Sequence, residues 1–170
     1  QYKTVYGKED TLVTIQIAML LAERFGMYYT DENGEKKLPY IIHRTSLGCY
    51  ERTLAYLIEH YAGALPTWMA PEQVRFLPVT DRAVDYCKEQ AAKLTAQGYR
   101  VTVDTRSEKI GKKIRDAQME KIPYMLVVGD RDIEAGTVSP RHRADGDLGA
   151  MTLDAFTAVL KDVVDNKLQK

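Results

Sequence analysis

The sequence predicts an α/β protein whose mixed, partly parallel sheet is flanked by helices, preceded by a short antiparallel β segment and one helix. Two observations support this prediction. Strand and helix patterns alternate from residue 72 onward, and Tyr124–Val128 is apolar at successive positions, as is typical of a central buried strand. The Gly- and Pro-containing stretch 63–71 interrupts the helical pattern, so we predict two domains, residues 1–70 and 71–170.

Three features define the elements of the first domain. Leu12–Ile17 is rich in β-branched residues and is predicted to be a strand. Asn33-Gly34 lies between the apolar runs Met27–Thr30 and Leu38–His43, which predicts a hairpin. A helix is predicted from about residue 49 to residue 62 because apolar residues recur at helical spacing along it. They are Leu54, Leu57, Ile58 and Tyr61.

The second domain is predicted to begin with three strands and two intervening helices. The strands are Val74–Val79, Tyr99–Val103 and Tyr124–Val128. Thr80 or Asp81 is expected to cap the first helix, which buries apolar positions and ends at Gly98. These positions are Val84, Cys87, Ala91 and Leu94. The second helix, from about residue 108 to residue 119, is expected to bury Ile110, Ile114 and Ala117.

The rest of the second domain is predicted to add one strand and one helix. Thr137–Arg141 is predicted to be an edge strand, because Pro140 has no N–H to donate to a neighbouring strand. Thr152 is expected to cap a final helix that buries an apolar stripe. That stripe comprises Leu153, Phe156, Leu160, Val163 and Leu168. Ligands of such sheets gather at the carboxyl ends of parallel strands, which places residues 104–109 and 129–136 at the functional edge.

Composition narrows the class of protein further. The chain has 24 Lys and Arg against 24 Asp and Glu, so nucleic-acid binding cannot depend on a general positive charge. A local excess exists between Arg106 and Arg143, where nine basic residues accompany six acidic ones. The two cysteines are far apart in sequence, which suits a reducing compartment better than a disulfide framework. No apolar run approaches the roughly 18 residues of a membrane span, and no secretory signal is recognised.

Three stretches carry a resemblance to a known family. They are residues 42–52 (IHRTSLGCYER), residues 61–74 (YAGALPTWMAPEQV), and residues 104–115 (DTRSEKIGKKIR) followed by 123–130 (PYMLVVGD). In this order and spacing they resemble the C-terminal part of threonyl-tRNA synthetase, a class II aminoacyl-tRNA synthetase. The resemblance covers nearly the whole chain. It implies the end of a catalytic domain over residues 1–70 and an anticodon-binding domain over 71–170.

In the first domain, the resemblance implies residues that act on ATP and threonine. Arg52 matches the arginine of the third class II motif, which reaches the γ-phosphate of ATP; a guanidinium suits this role because it can hold two phosphate oxygens. Gln16 and Cys49 match substrate-side positions. His43 matches one of three zinc ligands, but the family's other two lie upstream of this segment. We therefore expect His43 to bind metal only with ligands absent from this chain.

The sequence departs from the family around Gln16. Ala18, Met19 and Ala22 stand where the family usually has Asp, Phe and Pro. With Ala18, the amino-acid pocket lacks an inward carboxylate that the family usually has. In addition, the family's first two class II motifs do not occur in the chain.

In the second domain, the resemblance implies residues that read anticodon bases. The matching positions are Ser107, Lys109, Arg131, Asp132 and Arg141. Ser107 stands where asparagine is common and Asp132 where glutamate is common, so both have a shorter reach. An acidic residue suits the donor edge of guanine. Arg131, Arg141 and Arg143 can hold phosphates or stack on a base.

The resemblance also implies the partners of the parent enzyme. These are threonine tRNA, threonine and ATP, with zinc as a cofactor, in a cytoplasmic homodimer that does not contact membranes. We expect neither ATP nor zinc to bind tightly to this chain alone, and we expect the chain alone not to form threonyl-adenylate.

Two alternatives remain open from the sequence. The first is a synthetase paralogue without catalytic activity that serves as a regulatory or protein-interaction module. The second is an unrelated enzyme of flavodoxin-like build. That reading would need a Gly-rich phosphate loop such as G-x-G-x-x-G, and none occurs in the sequence.

Overall fold

The computed structural model describes residues 1–169, which form two compact units. The first unit is Gln1–His60 and the second begins at Tyr61. Each unit is described separately below. Within residues 1–169, no helix combines the length and the apolar character that crossing a membrane requires.

The first unit consists of three small antiparallel strand pairs and two helices. Its strands are β1 (Tyr2–Lys3), β2 (Glu9–Asp10), β3 (Ile15–Ala18), β4 (Tyr29–Thr30), β5 (Lys36–Lys37) and β6 (Ile41–Arg44). Its helices are α1 (Leu20–Arg24) and α2 (Tyr50–His60). The pairs are β1 with β2, β3 with β6, and β4 with β5. Strands β3 and β6 pair with Gln16 directly opposite His43.

The predicted hairpin around Asn33-Gly34 is confirmed, but its return strand is different. Asp31 accepts hydrogen bonds from the backbone N–H groups of Asn33 and Glu35, both at 2.9 Å, and Gly34 adopts a φ of +82°. The return strand is β5, not the predicted Leu38–His43. Residues 41–44 instead pair with β3, because their apolar run finds a second β-branched strand there.

Most of the first unit is exposed. Ala22 is its only buried residue, and α2 buries none of its side chains within the unit. Leu54 and Ile58, which belong to the apolar stripe predicted on this helix, are 53% and 48% exposed. The apolar stripe of α2 therefore exists, but the described residues do not cover it.

The second unit contains a six-stranded mixed sheet and four helices. Its strands are β7 (Val74–Pro78), β8 (Val101–Val103), β9 (Tyr124–Val128), β10 (Thr137–His142), β11 (Gly146–Asp147) and β12 (Met151–Thr152). Its helices are α3 (Ala83–Ala96), α4 (Ile110–Met119), α5 (Asp130–Ala135) and α6 (Leu153–Asp165). The strand order is β11-β10-β9-β7-β8, and β12 also pairs with β10. Strands β7, β8 and β9 are parallel, so their carboxyl ends share one edge.

Each face of this sheet has its own core. One core joins β7, β9 and β10 to the apolar stripes of α3 and α6, and Phe76, Leu126 and Phe156 are fully buried in it. The other is smaller and packs Leu77 and Met125 against α4. The central position predicted for Tyr124–Val128 is confirmed, because both faces of β9 are covered.

Local predictions in the second unit had mixed outcomes. Thr152 caps α6 as predicted, accepting a hydrogen bond from Ala155 N at 3.2 Å. The predicted cap of α3 at Thr80 or Asp81 is wrong, because the N-cap is Arg82 and no side chain caps the helix. Thr80 instead donates to an Asp130 carboxylate oxygen at 3.2 Å.

The prediction that Thr137–Arg141 forms an edge strand is also wrong. Strand β10 lies between β9 on one side and the short strands β11 and β12 on the other. Strand β11 pairs with Arg141 and His142, and β12 pairs with Thr137 and Val138. Pro140 falls in the gap between these two partners, where its missing N–H breaks no strand pairing.

Candidate functional site

One cavity in the first unit collects all four residues that the sequence assigns to substrate, metal or catalysis. It has a volume of about 230 Å³. Gln16 and His43 line it from opposite positions on β3 and β6, while Cys49 and Arg52 line it from the start of α2. The remaining lining residues are Leu12, Thr14, Thr45 and Gly48.

Backbone geometry and hydrogen bonds fix the start of α2 beside this cavity. Gly48 has a φ of +69°, and a Cβ at this position would collide with the carbonyl oxygen of Leu12. Glycine is therefore required for the close approach. Arg52 Nη1 donates to Thr11 O at 3.1 Å. The Cys49 thiol donates to Glu51 Oε2 at 2.9 Å, and this bond is the main cause that lowers the pKa of the Glu51 carboxyl.

The residues of this cavity do not make a complete zinc site. A zinc ion needs at least three protein ligands. His43 is one suitable donor, and the Cys49 thiol is already hydrogen-bonded to Glu51. Among residues 1–169, no group of three or more His, Cys, Asp or Glu side chains is arranged to hold a metal.

A second cavity lies at the carboxyl ends of β7 and β8 in the second unit. It has a volume of about 480 Å³, within the roughly 300–1,000 Å³ typical of ligand pockets. Ser107 and Lys109, two of the predicted base-reading residues, are exposed and line it. Its other lining residues are Pro78, Val79, Thr80, Asp81, Arg106, Glu108 and Lys113. We call this space the edge cavity.

The loop that carries Ser107 is held by an ion-pair network. The Asp104 carboxylate accepts from Arg106 Nε at 2.9 Å, Arg106 Nη2 at 2.7 Å and the Arg106 backbone N–H at 3.1 Å. The hydrogen bond from the Arg106 side chain is the largest cause that holds the pKa of Asp104 below its ordinary value. Arg106 Nη1 also reaches Asp116 on α4 at 2.9 Å. Ser107 is therefore presented by a loop fixed before any ligand arrives.

Asp132 is engaged inside the protein. Its carboxylate accepts from Gly129 N at 2.9 Å, Ser139 Oγ at 2.9 Å and Thr137 Oγ1 at 3.3 Å. It thereby fixes the start of α5 and joins it to β10. If Asp132 contacts the N–H groups of a base, its carboxylate must accept those hydrogen bonds in addition to these three.

Arg141 lies on the same strand and face as Thr137 and Ser139. It pairs with Met125, which places it roughly 10 Å from the carboxyl edge of β9 at about 3.3 Å per residue. Its side chain is 32% exposed, and its Nη1 is 3.5 Å from Asp147 Oδ2. Its Nε is buried and has no hydrogen-bond partner among the described residues. Because the guanidinium is partly exposed and its contact with Asp147 is long, its terminal N–H groups can still donate to a ligand.

The remaining two predicted arginines differ in setting. Arg131 is exposed on α5, at the carboxyl edge. Arg143 instead has a structural role, because its guanidinium donates to Lys121 O at 3.0 Å and Ala64 O at 2.9 Å. Burial lowers the pKa of Arg143. Ser107 and Lys109 therefore line one cavity, whereas Asp132 is hydrogen-bonded to β10. Arg143 holds backbone carbonyl groups at residues 64 and 121.

Sequence reasoning missed Lys113. This residue is 4% exposed and forms part of the edge cavity. A signal was available, since position 113 lies on the same helical stripe as Ile110, Ile114 and Ala117. A lysine on a buried stripe is unusual unless its ammonium has partners.

Comparisons with known proteins agree on both units. A family model described as the anticodon binding domain matches residues 73–163. A second, described as the tRNA synthetase class II core domain (G, H, P, S and T), matches residues 2–61.

The chain is also similar to whole proteins of one kind. It is 60% identical over 156 residues to a threonine–tRNA ligase of Clostridium perfringens (strain SM101 / Type A), covering 92% of this chain and 24% of that protein. It is 54% identical over 167 residues to a threonine–tRNA ligase of Clostridium botulinum (strain Eklund 17B / Type B), covering 98% and 26%. The chain therefore spans about a quarter of the length of these relatives.

A solved structure shows the same likeness. The crystal structure of the RNA binding domain of threonyl-tRNA synthetase from Cryptosporidium parvum Iowa II matches with a TM-score of 0.82 and 32% identity. The match covers 94% of this chain and 41% of that one.

Proposed function

This chain belongs to the threonyl-tRNA synthetase family, whose C-terminal part it represents, and from that premise we propose that residues 71–170 recognise the anticodon loop of threonine tRNA. Specific recognition of RNA generally depends on unstacked bases that side chains contact at their edges. An anticodon loop offers such bases.

The observation that carries this proposal is the edge cavity with Ser107 and Lys109 in its lining. A net charge of zero provides no general attraction for phosphates, so affinity has to come from placed groups. The Asp104–Arg106 network fixes the loop that presents Ser107, and the partly exposed guanidinium of Arg141 on β10 makes only a long contact with Asp147 among the described residues. Pre-positioned donors of this kind favour recognition of particular bases over general binding.

For residues 1–70 we propose a role in completing a class II catalytic domain. Gln16, His43, Cys49 and Arg52 share one cavity, which suits binding of threonine and ATP. In that setting Arg52 would hold an ATP phosphate, and His43 would bind zinc together with ligands from parts of the protein outside this chain. The many exposed large apolar side chains of the first unit support this proposal, since apolar side chains exposed in such number suit contact with another protein surface. A cytoplasmic, homodimeric parent enzyme belongs to the same proposal.

Binding to anticodon stem-loops tests the RNA proposal directly. We expect the 170-residue chain to bind a stem-loop with a threonine anticodon at least about tenfold more tightly than the same stem with a scrambled loop, because edge contacts contribute roughly 1–3 kcal/mol per base. Fluorescence anisotropy at two salt concentrations measures both affinities. Equal affinity for the two loops at each salt concentration would contradict the proposal.

We expect the chain alone to lack adenylate synthesis. Arg52 is the one Arg or Lys side chain in the described lining of this cavity, and binding an ATP triphosphate for reaction requires several cationic groups. ATP–pyrophosphate exchange with the purified chain and threonine should therefore equal a control without protein. ATP–pyrophosphate exchange above that control would show that this chain alone can form the adenylate.

A further inference from the structure

Lys113 occupies an unusual position at the floor of the edge cavity. Its ammonium donates to Pro78 O and Asp104 O, each at 3.1 Å. Pro78 is the last residue of β7, and Asp104 directly follows β8. A helical lysine thus joins the carboxyl ends of two parallel strands beside the edge cavity.

These two bonds leave the ammonium with one remaining donor and without a direct ion pair. An ammonium has three N–H donors, and two of them serve the carbonyl oxygens. In residues 1–169, no carboxylate lies within ion-pair distance of Lys113. The nearby Asp104 carboxylate is occupied by Arg106 through Nε and Nη2. A ligand that supplied an acceptor for the remaining N–H would gain a charge-assisted hydrogen bond.

We propose that Lys113 reads a base of the bound RNA, donating its remaining N–H to a carbonyl oxygen on one unstacked base seated in the edge cavity. This inference rests on the proposed function, since it requires an RNA loop at the carboxyl edge of the sheet.

The lining of the cavity favours a base over a phosphate. Asp81 lines the same space, and its carboxylate repels a phosphate. Glu108 also lines it but is ion-paired with Lys112. The positive charge of Arg106 is already shared between Asp104 and Asp116. A neutral base edge avoids this repulsion, and its N–H groups can find acceptors among the lining oxygens.

The chemistry also selects a class of base. Uracil and guanine carry a carbonyl oxygen where cytosine and adenine carry an amino group. If an amino group replaced the carbonyl, two hydrogen-bond donors would face each other at Lys113. Such a base would bind less tightly, because a buried donor without an acceptor costs free energy. The edge cavity should therefore prefer a keto base at one position of the loop.

Lys113→Met tests the contact, because methionine keeps the length and the apolar stem but removes the charge and the donors. Wild type and variant are titrated with the threonine stem-loop and with loops in which each anticodon base in turn is exchanged, U to C or G to A. We expect wild type to lose roughly tenfold in affinity at one exchanged position. Lys113→Met should bind the parent loop about tenfold more weakly and should lose discrimination at that position alone.

Lys121→Met is the matched control, since the Lys121 ammonium also donates to a backbone carbonyl, Ala62 O, and does not line the edge cavity. It should discriminate among the loops as wild type does. Circular dichroism checks that both variants fold. Sulfur in place of the carbonyl oxygen of the recognised base, a weaker acceptor, tests the same contact with unaltered protein and should also weaken binding.

The other outcomes separate the two proposals. If Lys113→Met discriminated at every position as wild type does, or if the sulfur exchange had no effect, the role of Lys113 would be overturned and anticodon binding would stand. A uniform loss for all loops, with a salt slope reduced by about one, would place Lys113 on a phosphate and overturn the base contact. If wild type did not separate threonine loops from scrambled ones, both proposals would fail.

Discussion

Replacing Phe156 by alanine is expected to lower the free energy of unfolding of the second unit by about 3–5 kcal/mol, the range for removing a buried aromatic side chain. Phe156 is fully buried on α6. Its ring meets the Tyr124 ring edge-on, with centroids 5.5 Å apart and planes at 75°. Because domains are stable by only about 5–15 kcal/mol, this loss should shift the unfolding midpoint strongly or prevent folding.

Urea denaturation followed by the fluorescence of Trp68 measures this effect. Trp68 is the only tryptophan of the chain and belongs to the second unit, so its signal reports on that unit. Val159→Ala on the same helix is the control, because Val159 is 40% exposed and its truncation should change stability by less than about 0.5 kcal/mol. Equal effects of the two substitutions would show that α6 does not pack on the sheet as described.

The sequence predicts best those elements that local chemistry determines. The hydroxyl of Thr152 and the apolar stripe behind it are local signals, and both the cap and the helix are confirmed. Strand β9 is equally clear, because a run that is apolar at successive positions suits only a covered strand. These features depend on residues close together in the chain.

The wrong predictions concern features that depend on residues far apart in the sequence. Pro140 suggested an edge, but β10 is covered by two-residue strands that carry no apolar pattern. Thr80 looked like a helix cap, yet its hydroxyl bonds to Asp130, fifty residues away in sequence. The sequence shows the apolar stripe of α2 but not what covers it, and Leu54 and Ile58 are exposed.

In the candidate site, too, local features could be predicted from the sequence and long-range contacts could not. Family resemblance selected Ser107, Lys109 and Arg141, and the structure adds their surroundings. The Asp132 carboxylate accepts hydrogen bonds from two hydroxyl groups of β10. The sequence alone could not predict these bonds, because they require α5 and β10 to be adjacent. Lys113 could have been found, because its place on a buried stripe is visible in the helical spacing.

Replacing Arg141 by alanine is expected to weaken binding of the threonine stem-loop by about 1–3 kcal/mol, the range for a good base contact. The guanidinium is one-third exposed, and its Nη1 contact with Asp147 is long, at 3.5 Å. Because this contact is long and the guanidinium is partly exposed, bound RNA would supply a stronger acceptor for its terminal N–H groups. Anisotropy titration at fixed salt measures the loss.

Lys161→Ala provides the matched control for charge. It also removes one positive charge, but from the exposed face of α6, where Lys161 pairs only with Asp165 among the described residues. Since the net charge falls from zero to minus one in both variants, a general electrostatic effect would weaken both equally. If Arg141→Ala matched this control, Arg141 would make no specific contact. If it weakened all loops alike and lowered the salt slope by about one, Arg141 would bind a phosphate. Loss of discrimination at a single base, with an unchanged slope, is the result that base reading by Arg141 requires.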